Sequence, residues 1–216
     1  MEPHHYPRRV LLAVTGLSPQ VVTETLYALA VIEEPRFVPT EIHLITTARG
    51  AERARLELLE GESGWFHRLC RDYGLPPIRF GAENIHTLPD EAGHPLPDIR
   101  SRAENTLAAD FITAKVAELT QDDTAALHVS LAGGRKTMGY YLGYALSLYG
   151  REQDRLSHVL VSGRYENHPL FFYPTPYFHR IHAQPDQEPL DTSKAEVVLA
   201  DIPFVRLRKE IGRAHV

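Results

Sequence analysis

Residues 10–15 form a short apolar run, Val-Leu-Leu-Ala-Val-Thr, that stops at Gly16 and predicts a strand covered on both faces. Ser18-Pro19 follows as a capping residue with proline at the first helical position, and apolar residues 22, 26, 29 and 32 continue at helical spacing. The alternation then repeats. A strand is predicted over 41–47, helices over 49–59 and 63–73, and a short strand over 84–88. Residues 89–97 hold three prolines and a glycine and read as a surface loop. Apolar positions 99, 103, 107, 111, 112, 116 and 119 predict one long helix over 98–119. A strand over 126–131, a Gly133-Gly134 turn, a largely buried helix over 136–149 and a strand over 156–162 complete the series. Strands and helices in alternation predict an α/β fold with an open, largely parallel sheet flanked by helices. Beyond residue 163 the chain turns to Tyr, Phe, Pro and His, and strands at 170–173 and 195–200 predict a β-rich C-terminal appendage over 164–209 on a core of 1–163.

Composition narrows the partners. The chain has 216 residues, 43% of them hydrophobic, enough for one buried core. Its net charge is −5, and no run of basic residues exceeds two, so no long nucleic acid is expected and an anionic ligand needs a local focus of positive charge. A single cysteine, Cys70, allows no internal disulfide and predicts a reducing cytoplasm, with the thiol packed on a helix. No apolar run is long enough to span a bilayer, and the first nine residues are unlike a signal peptide. His4-His5 and His179-x-x-His182 lack companion ligands, so neither metal nor another cofactor is expected.

The chemistry concentrates at Ser130-Leu131-Ala132-Gly133-Gly134-Arg135-Lys136-Thr137. A strand that ends in two glycines and opens a helix lets backbone N–H groups approach an anion, and Arg135 and Lys136 add charge. Ser130 and Thr137 bring hydroxyls suited to phosphate or ribose oxygens. Neither the Walker spacing nor the three-glycine dinucleotide fingerprint is present. Thr15-Gly16-Leu17-Ser18-Pro19-Gln20 occupies the corresponding turn after the first strand, and two such turns can form the halves of one nucleotide pocket. At 98–106, Asp98, Arg100, Glu104 and Asn105 read either as a helix cap with an Arg100–Glu104 pair or as groups that reach a ligand. The aromatic cluster Phe171, Phe172, Tyr173, Tyr177 and Phe178 reads as packing rather than as a base-stacking platform.

Three stretches together resemble the CARF domains, the CRISPR-associated Rossmann folds of type III immunity: residues 14–29, the Asp98-Ile99-Arg100 and Glu104-Asn105 cluster, and residues 128–138. Further similarity runs through 145–151, 154–161 and 202–208. The resemblance implies a Rossmann-like sheet and a homodimer in which two Gly133-Gly134-Arg135-Lys136 turns face each other across a two-fold axis. A cyclic oligoadenylate, cyclic tetra-adenylate first among ring sizes, then lies over that axis, its own symmetry matching an isologous dimer. Carried over by motif position as ligand contacts are Thr15, Gly16, Ser18, Gln20, Ser130, Gly133, Gly134, Arg135, Lys136 and Thr137, with Arg100 and Asn105 beside them.

The resemblance implies either a sensor domain for an effector, commonly a HEPN ribonuclease, or a stand-alone ring nuclease. The HEPN signature of Arg followed by His has formal matches at Arg36 with His43 and Arg208 with His215, and neither sits in a suitable helical setting. Residues 210–216 resemble a translated sequencing adapter, which predicts a non-native tail and a covalent effector domain lost beyond about residue 209. In the ring-nuclease reading a ribose 2′-OH attacks the adjacent phosphate without metal. Lys136 or Arg135 stabilises the developing charge, and Ser18, Ser130 or Glu104 orients the hydroxyl. A third reading, a Rossmann-like enzyme for a mononucleotide, predicts ATP or NAD binding in a monomer.

Overall fold

The computed structural model describes residues 1–183 and 185–208; the expectations placed on residues 209–216 lie outside them. Five parallel strands form the core sheet: β1 (Arg8–Val14), β2 (Glu41–Thr46), β3 (Ile85–Thr87), β4 (Ala125–Ser130) and β5 (Arg155–Val161). A sixth, β8 (Val197–Asp201), adds antiparallel to β5, giving the order β3-β2-β1-β4-β5-β8. The sheet is therefore Rossmann-like. Strand order reverses between β1 and β4, which are neighbours although far apart in sequence, and their carboxyl ends mark the crevice where such sheets bind ligands.

The helices are α1 (Gln20–Tyr27), α2 (Ala48–Ala54), α3 (Trp65–Asp72), α4 (Arg102–Leu119) and α5 (Lys136–Tyr149). α1 and α2 each run on into a wider π-helical turn, at Ala28–Ile32 and Arg55–Leu59. Two apolar cores result. Leu11, Ala13, Leu26, Leu44 and Leu69 pack on one face of the sheet with α1 to α3, and Val10, Leu12, Val14, Ile112 and Leu142 pack on the other with α4 and α5. The alternation of β1 side chains between the two faces explains why its whole apolar run is buried.

The structure alters four expectations. Residues 170–173 form no strand: Phe171, Phe172 and Tyr173 are buried, with Phe172 stacked on Trp65 of α3 at 4.7 Å and Tyr173 donating to Asp72 of α3 at 2.8 Å. The predicted strand at 195–200 is the edge of the main sheet rather than part of an appendage, because Leu199 and Val197 share the α1-side core. What stands apart is a two-stranded ribbon of β6 (Arg180–His182) and β7 (Pro189–Asp191). Finally, α5 is not largely buried: Met138, Leu142, Ala145 and Leu146 face the core while Tyr140 and Tyr144 are 67% and 52% exposed. Aromatic content misled there, since it marks an unpaired surface as readily as a core.

Candidate functional site

The two turns expected to converge do so at backbone level. Gly16 approaches Gly134 so closely that a Cβ on Gly16 would lie 3.8 Å from the Gly134 Cα. A Cβ on Gly133 would stand 2.6 Å from the Val14 carbonyl oxygen, and Gly134 has φ of +68°, so both positions require glycine, for space and for conformation respectively. The Thr46 hydroxyl donates to the Thr15 carbonyl at 2.8 Å and ties the first turn to β2.

Above these turns opens a cleft of about 510 Å³. Gly16, Ser18, Gln20, Gly133 and Gly134 line it, while Arg135, Lys136 and Thr137 are not among its lining residues. Ser18 does not cap α1; Pro19 is the N-cap and no side chain satisfies that helix end, so the exposed Ser18 hydroxyl faces the cleft. Thr15 and Ser130 lie beneath the floor. Ser130, 1% exposed, has its Oγ 3.1 Å from Thr25 Oγ1, while Thr15 Oγ1 is buried with no partner.

The basic residues follow directly on Gly134 and are all exposed at the start of α5. Arg135 is already engaged, its Nη2 lying 2.8 Å from each oxygen of Asp98, and that pairing together with Arg100 holds the Asp98 carboxyl below its ordinary range. The Lys136 side chain makes no hydrogen bond or ion pair among the described residues; of the first-turn amides of α5, that of Met138 donates to the Arg135 carbonyl at 2.9 Å, which leaves those of Lys136 and Thr137. Thr137 sits beside it, likewise exposed. The predicted Arg100–Glu104 side-chain pair is absent: Glu104 accepts from the backbone N–H groups of Arg100 and Ser101, both at 2.7 Å, in a capping box, and Arg100 turns to Asp98 at 3.4 Å. Asn105 donates to the Tyr141 hydroxyl at 2.8 Å and so braces α4 against α5. Arg100, Glu104 and Asn105 are thus outside the cleft lining.

Sequence reasoning missed the opposite wall. Glu24 on α1, Arg53 on α2, His158 on β5 and the loop carrying Glu166, His168 and Pro169 complete the cleft. Glu24 is 7% exposed, and burial, with the neighbouring Glu166 adding to it, pushes its carboxyl up to about 8. The signal was present, because Gln20 and Glu24 are one helical turn apart on the helix that follows the first glycine turn. The loop itself carries no sequence mark of this role.

Residues 18–216 match the protein family described as CRISPR-associated protein NE0113 (Cas_NE0113). The chain belongs to that CRISPR-associated family. CRISPR association and the Rossmann-like sheet both agree with the CARF resemblance. No curated protein matches this CRISPR-associated chain. Among solved structures it is similar to Enterococcus italicus Csm6 bound to cyclic hexa-2'-fluoro-hexa-dAMP, at 14% identity and a TM-score of 0.46 over 96% of this chain and 44% of that one. This CRISPR-associated chain therefore spans less than half the length of that protein. Among the described residues no helix is long and apolar enough to cross a membrane.

Proposed function

We propose that this CRISPR-associated chain is a sensor that binds a cyclic oligoadenylate, cyclic tetra-adenylate first among ring sizes, with two copies sharing one ring in the cytoplasm. The observation that carries the reading is the cleft at the carboxyl ends of β1 and β4, where two glycine turns meet beside a free Lys136 and an unfilled helix N-terminus. Lys136, Arg135, Thr137 and the α5 amides grip phosphate; Gly16, Gly133 and Gly134 let the ring approach the backbone; Ser18 and Gln20 meet ribose or base.

The dimer is supported by the outward face of α5. Lys136, Tyr140 and Tyr144 recur at four-residue spacing along one stripe, and the two tyrosine rings stack at 6.1 Å beside a shallow hollow floored by Leu131, Leu156 and Phe204. Pairing two copies through this stripe brings two Lys136 ammonium groups toward the axis, and an anionic ring between them removes their repulsion.

Sensing is preferred to ring cleavage on the placement of the candidate catalytic groups. Ser130 is buried against Thr25 and Arg135 is held by Asp98, which leaves Lys136 and Ser18 to act. The deciding experiment incubates excess protein with cyclic tri-, tetra- and hexa-adenylate and follows binding and products by chromatography. Tight binding with an intact ring is expected. Conversion to linear products with 2′,3′-cyclic phosphate ends would make the protein a ring nuclease, and no binding to any ring would overturn the assignment.

A further inference from the structure

The wall formed by α1 carries two unpaired polar groups aimed at the same cleft. Gln20, 6% exposed, spends its amide N–H on the Pro169 carbonyl at 2.9 Å, and its Oε1 is buried with no partner. One turn on, the Glu24 carboxyl has no hydrogen bond or ion pair among the described residues. Buried polar groups left unpaired are costly, and such groups beside an open cleft are placed for a ligand that pairs them.

We propose that Gln20 and Glu24 form a nucleobase subsite in which Glu24, as a neutral carboxylic acid, reads the edge of a 6-aminopurine. The acid hydroxyl donates to a ring nitrogen while its carbonyl accepts from the adjacent exocyclic amine, and Gln20 Oε1 accepts from an amine proton or a ribose hydroxyl. Adenine offers that acceptor-beside-donor pair on both of its hydrogen-bonding edges, whereas unsubstituted purine keeps the ring nitrogens and has no amine to donate. The neutral state follows from the setting: burial and the facing Glu166 hold the proton on Glu24 up to about 8. A proton-bearing carboxyl costs less to bury than an ion and supplies the donor that a carboxylate lacks.

This inference rests on the adenylate reading of the cleft, and its test separates the two. Binding of cyclic tetra-adenylate and of the same ring built from purine riboside, which lacks the exocyclic amine, is measured by titration calorimetry at pH 7 and pH 9, with the wild type, Glu24→Gln and Glu24→Ala. The wild type is expected to prefer adenine by roughly tenfold or more and to bind it about tenfold more weakly at pH 9, where Glu24 loses its proton. Glu24→Gln keeps a donor beside an acceptor and has no proton to lose, so its affinity is expected not to change between the two pH values; Glu24→Ala is expected to lose the base preference. The other titratable or charged side chains on the cleft are Arg53, His158, Glu166 and His168. A pH dependence that survives in Glu24→Gln would belong to one of those and would overturn the proposal. Equal binding of the adenine and purine rings by the wild type would overturn it without any variant. Failure of the wild type to bind either ring at pH 7 would overturn the adenylate reading itself, and this subsite with it.

Discussion

Arg135 closes on Asp98 in a forked pair, Nη2 at 2.8 Å from both carboxylate oxygens and Nε at 3.2 Å from one. The contact crosses from the start of α5 to the loop before α4 and occupies the guanidinium that the sequence offered to a phosphate. An exposed pair of this kind adds little to stability but sets which cation is free. Arg135 must exchange Asp98 for a ligand, whereas Lys136 need not.

Lys136→Ala is accordingly expected to weaken cyclic tetra-adenylate by about 1.5–3 kcal/mol, the worth of a charge-assisted hydrogen bond, and Arg135→Ala by less. Asp98→Asn releases Arg135 and is expected to tighten binding. Calorimetric titration of the three variants checks the order, and a loss for Arg135→Ala equal to or above that for Lys136→Ala would show that the pair opens freely in the complex.

Gly133→Ala places a Cβ against the Val14 carbonyl, which is backbone and has nowhere to go. A destabilisation of roughly 1–3 kcal/mol is expected from such overpacking, together with loss of binding at a temperature where the variant is still folded. Gly134→Ala is expected to cost about 1–2 kcal/mol through its left-handed backbone alone. Denaturant melts paired with ligand titrations distinguish a collapsed turn from a merely less stable protein.

Tyr140→Glu with Tyr144→Glu is expected to leave a folded monomer that binds the ring far more weakly, because both copies of Lys136 must face one ligand. Sedimentation and ligand titration on the same sample check it. A double variant that sediments as the wild type does would remove the α5 stripe as the interface.

Three histidines are held neutral by burial: His43 is pushed down to about 4, His86 to about 4 and His128 to about 3 from the usual 6.5. His43 and His86 share a hydrogen bond at 2.7 Å, and His128 pairs with Ser157 at 2.7 Å inside the sheet. The unfolded chain binds these protons first, so the stability they confer is complete above about pH 6.5 and is lost as pH falls toward 4. Glu24 has the opposite sign. Its raised value stabilises the fold below the ordinary carboxylate range, and that contribution is lost as pH rises through about 8. Denaturation midpoints from pH 5 to pH 9 are expected to peak near neutrality, with Glu24→Gln removing the alkaline decline. A midpoint that rises on acidification below about pH 6.5 would contradict the buried neutral imidazoles.

The sequence by itself determined the alternation of elements, the class of the sheet and the glycine turns, because these depend on local matters: apolar period, capping chemistry and the conformational freedom of Gly133 and Gly134. It also determined the family, whose model matches residues 18–216. Only the tertiary structure decided that Arg135 is held by Asp98 while Lys136 is free, since the partner comes from a loop 37 residues away. It likewise decided that Ser130 lies under the floor rather than on it, that the 195–200 strand joins the main sheet, and that Glu24 is a cleft wall. Each of these depends on which element packs beside which. Burial, not residue type, turned an ordinary glutamate into an acid that keeps its proton near neutral pH.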